Sequence, residues 1–261
     1  MKKSKAIELL NSDLKDIYDT LISISLYAYV SSSLFNTPNK KLSEEEIKVY
    51  NHLKKNEKRN TIYNSFMINL ISIMESYLKN MLIEIILDDK SKSEKFVRKY
   101  KFERHLTSND VVNGSEFLTI SVLNDVIYHN LPKVNSLYKI ITGIDILNIE
   151  GAEIKKIFKI IKLRHKMVHQ ANRINDRKIF LKELTLLHFI TVISDWLLNI
   201  DCLILNGNLR KRTTNYTMKF YKDLGEKIEL PILFNGKNEI EDNSLELLND
   251  LLKDHKKEIL I

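Results

Sequence analysis

The sequence predicts an all-α protein, a helical bundle with a small C-terminal extension. Three observations carry this. Apolar residues fill 44% of the 261 positions, enough for a sizeable core. Six glycines and three prolines are far too few for a sheet protein built on turns. Apolar residues also recur at steps of three and four over long stretches, the period of a helix burying one face.

Residues 6–35 read as the first helix, with Ile7, Leu10, Leu14, Ile17, Leu21 and Ile24 on one stripe. No residue from Thr20 to Asn39 is charged, but five serines and Pro38 interrupt the run, which favours a buried helix over a membrane span. Ser43 and Glu46 have capping-box spacing and open a polar helix. The strongest helical pattern is Thr61 to Leu87, where Ile62, Phe66, Leu70, Ile73, Tyr77, Met81 and Ile85 form one stripe. Met74, Leu78 and Leu82 widen it enough for the centre of a bundle. Residues 90–105 read as a charged connector. A helix from Ser115 to His129 stops before Pro132, another runs to Ile141, and Thr142 to Asp145 (TGID) makes a turn. The helical period resumes from Glu153 to Val168. A long helix, Lys178 to Leu205, closes at Asn206–Gly207. The helical domain is thus 1–205 and the extension 206–261. In the extension, alternating apolar residues around Gly225 fit a small β-hairpin, and Ser244 to Leu260 fits a last amphipathic helix.

The formal charge of +7 suits a polyanionic partner without requiring one. Cys202 is the only cysteine, which excludes an intrachain disulfide and a cysteine-rich zinc module; its apolar surroundings mark it as a buried hydrophobe. The apolar run Leu184 to Leu205 carries His188, Asp195 and Asp201, which argues against a span. The opening residues, MKKSKAIELLNSDLKD, lack a signal-peptide core, so the expectation is a cytoplasmic protein with no membrane association. A Gly-rich phosphate loop, a G-x-S-x-G elbow and a paired-carboxylate motif are all missing. Hydride transfer, kinase and hydrolase-fold chemistry have no support.

One stretch remains, LRHKMVHQANRIND (Leu163 to Asp176). His165 and His169 are four apart and would share a helix face, as zinc ligands do. The zinc-protease signature, however, needs a glutamate directly after the first histidine, and Lys166 stands there. No metal and no cofactor is predicted. Arg164 and His169 form an R-x4-H pair with a different chemistry. A histidine takes a proton from a ribose 2′-hydroxyl or gives one to the leaving 5′-oxygen. An arginine supplies fixed positive charge to the phosphate. Such a pair cuts RNA without metal and spares DNA. Arg98 and His105 make a similar pair inside the charged connector, where a solvated face is the better reading. Arg210, Lys211 and Arg212, followed by Tyr216, Lys219, Tyr221 and Lys222, interleave cations with aromatics. That suits an RNA backbone with stacked bases, and a solubilising surface explains it as well.

The stretch Ile141 to Ile174, ITGIDILNIEGAEIKKIFKIIKLRHKMVHQANRI, resembles prokaryotic HEPN-domain proteins, a helical family of RNA-processing and anti-phage proteins. Their recurrent feature is R-x4-6-H with a polar residue after the arginine, here His165, giving RHxxxH. The Gly143-Ile144-Asp145 turn and the apolar helix Ile157–Leu163 stand where the family places similar elements. Phe66 to Ile86 looks like the family's long helix bearing a polar residue toward the site, with Glu75 and Tyr77 the matching positions. The resemblance covers residues 10–205 in helix order. After His169 this chain reads Gln170-Ala171-Asn172-Arg173, where several relatives have Arg-Asn-Gly. The resemblance implies a metal-independent endoribonuclease leaving a 2′,3′-cyclic phosphate, acting as a toxin or anti-phage effector on tRNA or other RNA. Arg164 and His169 would be catalytic. His165 and Asn172 would position RNA and Glu75 would orient Arg164; Arg173, together with Arg210, Lys211 and Arg212 of the cation–aromatic run, is a further candidate for binding RNA. Arg164 and His169, five apart, differ by about 140° on an ideal helix, so a homodimer that lines one cleft with both chains is expected, as the resemblance also implies; an antitoxin or defence-complex protein is a further expected partner. Two alternatives stay open: a non-catalytic RNA-binding or protein-interaction module of the same fold, and a DNA-binding regulator.

Overall fold

The computed structural model describes residues 3–35, 43–45, 47–48, 58–100, 102, 114–169, 173–174, 177–179, 181–209 and 215–224. They form an all-α fold: α1 (Lys5–Phe35), α2 (Lys58–Asp88), α3 (Lys90–Lys99), α4 (Gly114–Asp125), α5 (Leu131–Ile141), α6 (Ile154–His169) and α7 (Glu183–Asn206), then a helix over 216–224. A two-residue antiparallel ladder, Arg173–Ile174 with Arg177–Lys178, lies between α6 and α7.

The wide apolar stripe of α2 has the consequence its width predicts. Met67, Leu70, Ile71, Met74, Leu78, Met81, Leu82 and Ile86 have no exposed surface, and α2 packs against each of α1, α3, α4, α5, α6 and α7. Burying that many large side chains, at about 1.5–3 kcal/mol each, makes α2 the axis of the core. The heptad-like stripe of α1, Ile7, Leu10, Leu14, Ile17 and Leu21, is buried alongside it. α7 is long and apolar enough to cross a membrane, the one such helix among the described residues. More than half of its most apolar window is buried in the bundle, and Gly207 ends it at φ +67°.

Polar atoms inside this core are tied by long-range bonds. The Trp196 indole Nε1 donates to the Ile146 carbonyl at 2.8 Å, and the Tyr138 hydroxyl donates to the Leu78 carbonyl at 2.9 Å. The start of α1 is held by two other helices. Glu84 of α2 accepts the backbone N–H groups of Lys5 and Ala6, each at 3.0 Å, while the Ser4 hydroxyl donates to the buried Asp201 of α7. Burial pushes the Asp201 carboxyl above its ordinary range, against the lowering effect of the Ser4 bonds.

Several boundaries differ from those the sequence predicts. The charged stretch after residue 90 is not a connector but the helix α3, capped by Asp89 and anchored by buried Ser93 and Phe96; two inward residues in ten suffice. α4 ends at Asp125, short of His129. The last long helix begins at Glu183 rather than Lys178, because residues 177–178 pair in the ladder. The hairpin expected in the extension is contradicted over 216–224, which is helical. Tyr216 and Phe220, one turn apart, both set their rings edge-on to Tyr18 of α1, so spacing that fits a strand here serves a helix capped by Asn215. By internal packing the first compact unit runs to Phe220 and the second from Tyr221. Glu46, Asn172, Arg210, Lys211, Arg212 and the helix expected over Ser244 to Leu260 lie outside the described residues.

Candidate active site

The turn that launches α6 is built as its sequence requires. Gly143 takes φ +83°, Thr142 Oγ1 accepts the Ile144 N–H, and Asp145 Oδ1 accepts the Leu147 N–H. Lys139 pairs with Asp145 at 2.6 Å and, as the main cause, holds its carboxyl below the ordinary range. α6 then runs unbroken for 16 residues to His169. Its sequence holds Lys155, Lys156, Lys159, Lys162, Arg164 and Lys166 and no carboxylate. Of these, Lys156 pairs with Glu153, and the rest leave the helix strongly positive.

Phase around the helix decides what each residue can do. Ile157, Ile160, Ile161 and Met167 are buried and define the inner face. Arg164 falls seven residues after Ile157, about 20° away around the axis, so it belongs to that inner face. It is half-buried, and its Nε is enclosed with no hydrogen-bond partner. His165 and His169 lie on an exposed flank, about 100° and 140° around the axis from Arg164, with ring centroids 4.3 Å apart and ring planes inclined by 44°. The helix therefore brings His165 and His169 together and holds Arg164 away from His169. The first strand of the short ladder, Arg173–Ile174, packs against α6, and Arg177–Lys178 pairs with that strand.

Glu75 is not the partner of Arg164. Its Oε1 lies 2.7 Å from Nδ1 of His129, which follows α4, and both groups are part-exposed. Tyr77 does not reach a site either. It is fully buried at the centre of α2, its hydroxyl unpartnered, and burial above all drives its pKa up; the neighbouring Tyr138, Asp201, Cys202 and Glu84 add to this. At the far end of α6, Nε2 of His188 stands 3.5 Å from the Lys156 amine, which also pairs with Glu153. Burial first, then Lys156, lowers the His188 pKa. Sequence reasoning missed both His129 and His188, since their partners lie 54 and 32 residues away and no local spacing marks them. Among the described residues no group of three or more His, Cys, Asp or Glu could hold a metal ion.

Fold and site together define an all-helical protein with a cation-rich helix that presents two adjacent histidines to solvent. No family model, curated protein or solved structure matches the chain.

Proposed function

We propose that this chain is a metal-independent endoribonuclease of the HEPN type, acting as a toxin or anti-phage effector, with its site on the exposed face of α6. The observation that carries the reading is the His165–His169 pair, 4.3 Å apart on a helix with six cations and no carboxylate. Imidazoles supply proton transfer near neutral pH, and the surrounding cations attract a phosphodiester strand. The test is purified protein with total RNA in EDTA, set beside His169→Ala protein. Cleavage by the first and not the second is expected; equal cleavage by both removes His169 from the site.

The inner placement of Arg164 has a consequence for assembly. Residues five apart on a continuous helix differ by about 140°, so Arg164 and His169 of one chain cannot face one phosphate. A two-fold axis beside α6 resolves this by letting the arginine of one copy face the histidine of the other. Val168, 43% exposed, lies between Arg164 and His165 around the axis and would be covered there. Mixed Arg164→Ala and His169→Ala proteins should then regain part of the activity after subunit exchange. A second reading has support from the same residue. A half-buried arginine on a core-facing stripe also suits a structural role, leaving α6 as an RNA-binding module without catalysis. Binding of RNA without cleavage would decide for it.

A further inference from the structure

We propose that His165 is a second proton-transfer residue and forms an acid–base pair with His169 on one RNA phosphate; this rests on the ribonuclease reading above. Cleavage by a 2′-hydroxyl needs two proton transfers, one off the attacking oxygen and one onto the leaving oxygen. An arginine stays protonated and can do neither, so an R-x4-H pair supplies one such group where two are useful. The geometry of α6 supplies the other. His165 and His169 are about 40° apart around the axis, both exposed, with ring centroids separated by 4.3 Å.

The step balances without metal or redox partner. The neutral imidazole of one histidine takes the 2′-hydroxyl proton as the O2′–P bond forms. The P–O5′ bond breaks, and the imidazolium of the other delivers its proton to O5′. The products are a 2′,3′-cyclic phosphate and a 5′-hydroxyl; the pair has exchanged one proton and solvent resets it. Entering and leaving oxygens stand on opposite sides of phosphorus in an in-line displacement, so the two exposed rings, adjacent at 4.3 Å, would turn apart on their side-chain torsions to reach one oxygen each.

The same stripe is equipped for the strand. Phe158, 40% exposed, lies about 20° from His165 around the axis; exposed Lys162 falls between them along the axis, about 40° to one side of Phe158. An aromatic ring, a cation and the histidine pair follow one another along the axis at steps of about 6 Å and 4.5 Å. A base stacked on the ring and a phosphate on the lysine would lead a single strand to the histidines.

The experiment compares wild-type, His165→Gln and His169→Gln proteins on an RNA and on the same RNA with sulfur replacing the 5′-bridging oxygen at the cut. A sulfur leaving group needs no proton donor. Both variants should lose at least ~100-fold in kcat on ordinary RNA with KM little changed. One variant, and only one, should recover most of its rate on the sulfur substrate, which identifies the general acid. Unchanged melting temperatures verify folding, as both side chains are exposed. A His165→Gln protein that cuts at the wild-type rate, or is impaired in KM alone, overturns the pair and leaves the ribonuclease reading standing. So does equal failure of both variants on the sulfur substrate. A wild-type protein that cuts neither substrate overturns both.

Discussion

Replacing Arg164 with methionine separates what the fold asks of this position from what the chemistry asks. Arg164 continues the buried stripe of Ile157, Ile160 and Ile161, yet its Nε is enclosed without a partner. A buried donor left unsatisfied costs about 1–3 kcal/mol. Methionine keeps an unbranched apolar stem on the stripe and removes the donor, so Arg164→Met should leave stability unchanged or raise it by about 1 kcal/mol. For a chain of this size, 1 kcal/mol shifts the melting temperature by about 2–4 °C, which a thermal melt resolves. On the proposed function the same variant should lose at least ~100-fold in RNA cleavage, the scale on which fixed charge at a reacting phosphate acts. Gain in one readout with loss in the other marks a residue kept for function at the expense of stability. A fall of 2 kcal/mol or more in stability would refute the reasoning, because it would show that the guanidinium is a structural tie.

Cleavage should persist in EDTA and fail on RNA carrying a 2′-methoxy group at the cut; retained cleavage of the blocked substrate rules out transesterification. Substituting Arg210, Lys211 and Arg212 together with alanine should weaken RNA binding and flatten its dependence on salt, measured by titration at two ionic strengths. Unchanged affinity at both would leave these three residues a solubilising surface. Ser4→Ala removes the hydroxyl that donates to the buried Asp201 carboxyl and accepts the Ile7 N–H, leaving the residue-4 backbone bond to Asp201, and should cost about 1–3 kcal/mol in a denaturant melt. Asp201→Asn keeps an acceptor for Ser4 and removes the charge. Since burial raises the folded pKa of Asp201, the folded chain holds its proton more tightly than the unfolded one. Wild-type stability from this group is therefore present at low pH and lost as pH rises through the folded value. The Asn variant should be at least as stable as wild type at pH 7, with the difference shrinking on acidification.

The long apolar elements were legible from the sequence because a period of three to four is a direct imprint of one-sided burial. The stripes of α1 and α2 and the glycine stop after α7 follow from it. Short elements were not. α3 buries only Ser93 and Phe96, too few to register a period among its charges. The helix over 216–224 has a spacing that strand and helix share, and what decides it is Tyr18, almost 200 residues earlier. The site divided along the same line. The turn at Gly143 and the pairing of His165 with His169 are local and could be read. The partner of Glu75 could not, because a carboxylate on α2 is equally close in principle to every helix that packs on it. His129 takes it through the path of the chain after α4, which no spacing encodes.

The rotational phase of α6 ties these two levels together. Burial of Ile157, Ile160, Ile161 and Met167 against the bundle fixes how the helix is turned, because rotating it would expose those side chains at about 1.5–3 kcal/mol each. With that rotation set, one residue of spacing decides which face a side chain takes. Four residues from His169 reaches His165 on the solvent face; five reaches Arg164 on the inner one. The core thus selects which members of RHxxxH meet within one chain, and it selects the two histidines. On the proposed function, Arg164 acts on the same phosphate from a second copy. If the chain is a ribonuclease as proposed, the histidine pair is the part of the motif that the packing leaves to a single chain.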